Sequence, residues 1–461
     1  MPSALAASFR DPSGFVFVHE GVVYRQIHHS YRQAYDHLMA SGLYDQLVAD
    51  GLLIPHTEDD PALAPAPDVY KVIRPLPLPF ISYPFEWCFG QLQDAALALL
   101  RIQRRALRKG ISLKDASAYN LQFHEGRPVL IDTLSFDLYQ EGQPWVAYRQ
   151  FCQHFLAPLA LMSCVDVRLS QLLRVHIDGV PLDLAARLLP WRTRLRLPLL
   201  LHIHWHAASQ RRYQTQGTSS PARARPVSRR ALLGLLDSLE DAVRALRWNA
   251  QDAGWAAYYT DLHEYAPETL AHKRQVVADV LERVRPAVVW DLGANTGAFS
   301  RLASERGVLT IAFDSDPACV ERAYREQQAS GDPALLPLVL DLTNPTPGLG
   351  WAHRERMSLV ERGPADLVLA LALVHHLAIA NNVPFSRIAA FLAEIARHLV
   401  IEFVPKEDPK VQKLLAGRAD IFSDYTRSAF EEALGANFDI LDVVPLNNSS
   451  RVLYWMKRRS W

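Results

Sequence analysis

Cysteine is scarce in this chain of 461 residues. The four present, Cys88, Cys152, Cys164 and Cys319, lie far apart and form no C-x-x-C pair. A disulfide scaffold is excluded, and a reducing compartment with buried thiols is the expectation. Net charge is also lacking, with 49 basic side chains against 49 acidic ones. That balance removes any global pull toward nucleic acid or anionic membrane. Lysine is rare, 8 against 41 arginines, a bias that genome composition alone can produce. No run approaches the ~18 apolar residues that span a bilayer. The opening MPSALAASFRDPSG has no basic segment followed by an apolar one, so no secretory signal is read there and a cytoplasmic location is expected. What is present is ordinary for a globular protein, 49% hydrophobic and 21% charged residues, enough for two or three domains.

Residues 207–230 carry six arginines and no acid among Gln, Ser, Thr and Pro. Such a stretch buries too little apolar area to order itself and reads as an Arg-rich linker; the alternative is an arm for RNA or phosphate. It divides the chain into 1–206 and 231–461. After it, helical spacing over 231–247 and 269–284 precedes short apolar runs at 287–290, 308–313, 335–340, 366–374, 398–404, 438–444 and 451–456. Short apolar strands alternating with helices predict a parallel sheet covered on both faces, with an antiparallel pair formed by the last two runs. Before the linker the order differs. A hairpin is expected over 14–20 and 22–27, a helix over 30–49, strands at 69–73 and 78–83, a helix over 89–109 and a hairpin at 120–123 and 129–132. The remainder to about 206 reads as mostly helical. This is a small strand-rich lobe followed by a helical one.

Residues 288–299, VVWDLGANTGAF, place Asp291 at the end of a buried strand and a turn with Gly293, Asn295 and Gly297 before a helix from about Ala298. Glycine lets the chain turn sharply and a ligand approach the backbone, and Asn tolerates positive φ. The next run ends in Asp314, 23 residues on, where an acid can accept both hydroxyls of a ribose. The glycines do not spell G-x-G-x-x-G, and no G-K-[ST] is present, so neither a dinucleotide nor a P-loop fits. An acid at the turn repels phosphate and suits a ligand with a cationic amine.

This region, about 250–461, resembles the class I S-adenosylmethionine-dependent methyltransferases. DLGANTG is similar to the family's first motif, with Asn295 in place of the middle glycine. Asp314 resembles the ribose acid. Asp341 with Leu342, in LVLDL, resembles the segment that reads adenine, and the segment 370–376, including Ala372, resembles the one facing the methyl group. The resemblance implies a doubly wound, seven-stranded Rossmann-like α/β domain that binds S-adenosyl-L-methionine. LALALVHHLAIANNVP sets His375 and His376 just past a strand. A hydroxyl nucleophile needs a base, and histidine titrates in the right range; His376 is the choice over His375. Glu402, after the next strand, is expected across the pocket from His376, as its carboxylate partner or as part of a metal site. Trp255, Tyr258, Tyr259 and Tyr265 read as an aromatic lid or as core.

LKDASAYNLQFHEGRPVLID gives Asp115 and Asn120 the spacing D-x-x-x-x-N, with Asp132 ending a strand. This resembles the catalytic loop and metal-binding acid of protein-kinase-like phosphotransferases, implying an α+β kinase-like, two-lobed unit. It departs from that pattern: no glycine-rich loop stands near 14–25, Arg25 replaces the lysine, and Lys71 is the other cation. A degenerate unit that recruits substrate or partner is therefore expected, with Mg²⁺ and nucleotide there as the secondary expectation. His202, His204 and His206 would align on a strand as a metal site, whereas on a helix only His202 and His206 would, and no metal is assigned. The whole chain also resembles bacterial methyltransferases grouped with nodulation proteins, through LKDASAYN, YPFEW and HHL…NNVP. The resulting expectation is methyl transfer to a small-molecule or glycan acceptor, with nucleic acid less favoured. The alternatives are a bifunctional kinase–methyltransferase and a non-catalytic S-adenosylmethionine-binding regulator.

Overall fold

The computed structural model describes residues 3–207, 226–249, 267–417 and 419–459. Most of the linker, and the four aromatics at 255–265, lie outside the described residues. The chain forms two compact units. The first comprises Met1–Trp248 together with Leu349–Arg356; the second comprises Asn249–Gly348 and Met357–Trp461.

In the first unit, β1 (Ser3–Ala4), β2 (Gly14–His19), β3 (Val22–Ile27), β4 (His56–Asp59) and β5 (Lys71–Pro75) make an antiparallel sheet in the order β1-β2-β3-β5-β4. The expected β2–β3 hairpin is present. The helix expected over 30–49 is broken into Arg32–Ala40 and Leu43–Ala49, because Gly42 takes a left-handed φ of 71° between them. The strand expected at 78–83 is absent, and β4 takes its place in the sheet. Pro77, Pro79 and Pro84 around that stretch lack the N–H that a ladder needs. Ile27, Tyr31, Tyr35, Ile73 and Leu134 form a core cluster in this unit. The helix Phe89–Arg108 buries a long apolar face. Short strands β6 (Ile111–Leu113), β7 (Leu121–His124), β8 (Arg127–Leu130) and β9 (Phe136–Leu138) follow it.

The sequence pattern places the helix Arg229–Ala245 in the second domain, but it packs on Phe89–Arg108. Gln93 Nε2 donates to the carbonyls of Val243 (2.8 Å) and Leu246 (3.1 Å), and Arg104 pairs with Asp237 and Glu240. Leu236 and Leu239 are buried. The boundary drawn at 231 therefore moves to 248/249 in the contact pattern. Sequence periodicity finds a helix but does not say which partner its apolar face meets.

The second unit is built on β10 (Val288–Leu292), β11 (Leu309–Asp314), β12 (Leu335–Val339), β13 (Ala365–Ala370), β14 (Ala396–Phe403), β15 (Phe438–Pro445) and β16 (Val452–Arg458), in the order β12-β11-β10-β13-β14-β16-β15. β10 to β14 are parallel, and β16 inserts antiparallel between β14 and β15. This is the seven-stranded, doubly wound sheet with the terminal antiparallel pair that the apolar runs predict. Val277, Val280 and Leu281 of the helix Pro267–Val284 pack on Val289, Leu367 and Leu369. Strand order reverses at β10, between β11 and β13, and the crevice at the carboxyl ends there is where such sheets take ligands.

Candidate functional site

A cavity of about 400 Å³ opens at those carboxyl ends. Asp291, Gly293, Asn295, Asp314, Asp341, Leu342, Ala372, His375 and His376 all line it. Two larger grooves, about 900 and 750 Å³, run beside Arg285 and Pro286 at the opposite ends of the strands, among mostly charged side chains.

The turn after β10 has positive φ at Gly293 (74°), Asn295 (52°) and Gly297 (80°). Asn295 thus adopts the glycine-like conformation expected of it. The Gly293 and Ala294 N–H groups both donate to the Phe313 carbonyl at 2.9 Å, pinning the turn to β11. Asp314 accepts from the Asn295 N–H (2.7 Å) and the Asp316 N–H (2.9 Å). Asp291 accepts from the Ser300 hydroxyl at 2.6 Å. Burial pushes both carboxyls up to about 6, against the opposing effect of these hydrogen bonds. Gly297 is outside the cavity lining; it turns the chain toward the helix Ser300–Ser304, which begins slightly later than expected.

Glu402 does not pair with His376. It is fully buried at the end of β14, and its Oε2 accepts from Lys273 Nζ (2.6 Å) and from the Ala372 N–H (2.7 Å). Arg451 Nη1 stands 3.5 Å from Oε1, and Arg451 itself is clamped by Asp408. A carboxylate held this way fixes the loop after β13, where Ala372 has a φ of 51°, rather than accepting a proton from substrate. Burial lowers the Lys273 ammonium and Glu402 opposes that shift. Lys273 also lines the cavity and lies 4.8 Å from the centre of the Phe299 ring. Sequence reasoning missed Lys273, although a signal existed: it occupies the buried stripe Thr269, Lys273, Val277 of its helix.

The two histidines are stacked at 4.2 Å between ring centroids. His375 is buried, and neither ring nitrogen has a hydrogen-bond partner among the described residues. Burial, then His376, drives its basicity down to about 2. It is a neutral imidazole at any working pH. His376 is only partly buried.

In the first unit the expected trio converges. Asp115 bonds to Asn120, and burial raises its carboxyl with a smaller contribution from Asp132. Asp132, however, is engaged by Arg25 (2.6 Å), the Leu134 N–H and the Ser135 hydroxyl. Arg25 is held from the other side by Asp11 (2.9 Å). Lys71 is paired with Glu58. The 202–206 histidines lie in the π-helical turn Leu200–Trp205 and its end; His202 bonds to Tyr148 and Ser238, and His204 to Thr193. Among the described residues no group of three or more His, Cys, Asp or Glu is placed to hold a metal.

Removing the Glu402 charge tests the network. Glu402→Gln leaves the Lys273 and Arg451 side short of a counterion in a dry site, and should cost about 3–5 kcal/mol of stability. Urea unfolding that shifts by less than about 1 kcal/mol, the scale of an exposed pair, would reject this account.

No family model matches the chain. Among solved structures, magnesium protoporphyrin IX methyltransferase (ChlM) from Synechocystis PCC 6803 with bound SAH is 17% identical; the match covers 45% of this chain and 96% of that one, with a TM-score of 0.32. The bifunctional kinase-methyltransferase WbdD is 17% identical over 41% of this chain and 39% of its own, with a TM-score of 0.28. Along the sequence, nodulation protein NoeA of Rhizobium meliloti (strain 1021) is 38% identical over 464 residues, covering 99% of this chain and 96% of that protein. Likeness at that level over nearly both whole lengths means that the chain belongs to the family of nodulation protein NoeA.

Proposed function

We propose that the second unit binds S-adenosyl-L-methionine and transfers its methyl group to a small-molecule or glycan acceptor recruited by the first unit. The observation that carries this reading is the pair of buried carboxyls, Asp291 and Asp314, flanking a positive-φ glycine turn in one cavity with both histidines. Bound there, the cofactor supplies an electrophilic methyl on a sulfonium. Asp291 meets a cationic amine, and Asp314 retains lone-pair capacity for ribose hydroxyls beyond its backbone donors, Asn295, Ser315 and Asp316. Gly293 leaves room for close approach: a Cβ there would already sit 3.3 Å from Leu373 Cδ1, on a φ of 74°. Asp341 and Leu342 form the part of the wall assigned to adenine, and Ala372 leads to the reacting end.

Both carboxyls sit unusually high, so a cationic ligand must bind their ionised forms. Affinity should therefore be level near pH 7, where the carboxyls are ionised and the ligand's amine is still protonated, and fall as the pH drops through about 6, by up to about tenfold per unit for each group that must lose its proton. Gly293→Val should abolish binding. Calorimetry showing unchanged affinity in that variant, or affinity that rises toward pH 5, would remove the assignment.

At the reacting end, the basicity of His375 is too low for useful proton acceptance, since a general base works best near the operating pH. We assign the base to His376. His375 supplies one donor and one acceptor that the protein leaves open, which suits orienting a hydroxyl. His376→Ala should lower turnover by roughly 10²–10⁴-fold with cofactor affinity unchanged. His375→Phe should raise the acceptor KM more than it lowers kcat. Transfer from labelled S-adenosylmethionine to a metabolite extract supplies the assay. Undiminished turnover per folded molecule in His376→Ala would leave proximity as the only source of catalysis.

For the first unit, the Arg25–Asp132 pair at 2.6 Å supports recruitment over phosphoryl transfer. Holding Mg²⁺ and nucleotide at Asp115, Asn120 and Asp132 would require that pair to break. ATP should yield no phosphorylated product; radiolabelled phosphate on any product, lost in Asp115→Ala, would establish the bifunctional kinase alternative instead.

A further inference from the structure

The zero net charge of the chain conceals a short one-signed segment. Residues 191–205 contain three arginines, Arg192, Arg194 and Arg196, all exposed, and no aspartate or glutamate. Interleaved with them are large apolar side chains turned to solvent: Trp191 is 74% exposed, Leu195 76%, Leu197 62% and Trp205 58%. Single apolar side chains at a surface are ordinary, but four this large and this open within one short segment are not scattered.

Residues 189–205 are anchored rather than loosely attached. Leu189, Thr193, Leu199 and Ile203 are buried between the exposed positions. Thr193 Oγ1 and His204 Nε2 are 2.9 Å apart inside. The fold therefore holds two tryptophans, two leucines and three arginines outward on a fixed base. Neither proximity to solvent nor charge alone accounts for that combination. A nucleic acid would use the arginines and could stack on tryptophan, but single strands are held mainly by charge and aromatic stacking, which leaves aliphatic Leu195 and Leu197 with less to do. An anionic bilayer surface uses all three residue types. Tryptophan and leucine enter the boundary between headgroups and acyl chains, and arginine meets the lipid phosphates. No described helix is long and apolar enough to cross a membrane, so the contact is superficial.

We propose that this exposed arginine–tryptophan–leucine segment docks the protein on the surface of an anionic lipid bilayer. The test uses the full chain and sedimentation with sucrose-loaded vesicles, of phosphatidylcholine alone or of equal parts phosphatidylcholine and phosphatidylglycerol. Binding is expected to the anionic vesicles only, and should weaken with added salt. Arg192→Gln/Arg194→Gln/Arg196→Gln should lower partitioning by roughly 100-fold, and Trp191→Ser/Leu195→Ser by roughly tenfold or more. Unchanged circular dichroism and thermal unfolding would show that both variants fold, as expected for exposed positions. The proposal is overturned by failure to sediment with anionic vesicles, or by variants that bind like the parent. It is equally overturned if single-stranded poly(U) binds at least as tightly and only the arginine variant loses it, which assigns the segment to nucleic acid. A self-association lost in Trp191→Ser/Leu195→Ser, without vesicle binding, would assign it to a second copy of the chain.

Discussion

The buried Glu402 carboxylate holds the mouth of the second unit together. It stands at the end of β14 and is reached by three other stretches of chain: Lys273 from the helix before β10, the Ala372 N–H from the loop after β13, and Arg451 just before β16. Asp408 completes the group by gripping Arg451 through Nε (2.7 Å) and Nη2 (3.0 Å). Two cations and two acids sit together almost without water. Ions removed from solvent persist only where charge and geometry are both matched, because desolvation costs several kcal/mol each. That requirement is what makes the cluster rigid. It also holds Ala372 at a positive φ that an alanine would not choose by itself, and so sets the path of the chain toward His375 and His376.

The two units treat similar acids in opposite ways. In the second, Asp291 and Asp314 are buried, shifted upward and turned to a cavity, with Lys273 and backbone N–H groups as their partial compensation. In the first, Asp132 is compensated inside the protein by Arg25, which Asp11 holds in turn. An acid left wanting a cation favours a ligand that brings one; an acid already paired favours the closed arrangement. The same residue type at a strand end therefore reads differently according to whether a neighbouring guanidinium reaches it, and that neighbour comes from a distant strand.

Much of the second unit was legible because its signals are local. The alternation of short apolar runs with helices gave the parallel strands, and the sequence DLGANTG carried its own turn chemistry, down to the positive φ of Asn295. Glu402 was found but given the wrong partner, since nothing local says that a lysine 129 residues away reaches it. Lys273 could have been recognised by its place on an apolar stripe. Arg451 and Asp408 offered no comparable pattern. In the first unit the failures follow the same division. Gly42 breaks a helix that periodicity joins, and prolines near 78–83 deny a strand that apolar content suggests. The partner of the helix Arg229–Ala245 was invisible, because amphipathicity marks a face without marking what covers it.

Leu349–Arg356 belong to the first unit although they lie between β12 and β13 of the second. There Glu355 receives two hydrogen bonds from Arg10, 345 residues earlier, and the Arg356 guanidinium lies 4.4 Å from the centre of the Tyr119 ring. A chain made from its N-terminus onward thus cannot finish its first unit when that unit's main stretch has emerged. Arg10 must wait on the ribosome until three strands of the other unit have been synthesised. Closing so long a loop adds little entropy beyond a moderate one, since the cost grows only with the logarithm of length. The expense is in time: until Glu355 is made, the only carboxylate near Arg10 among the described residues is the exposed Asp178, 3.8 Å away, and the two hydrogen bonds that fix the guanidinium come last.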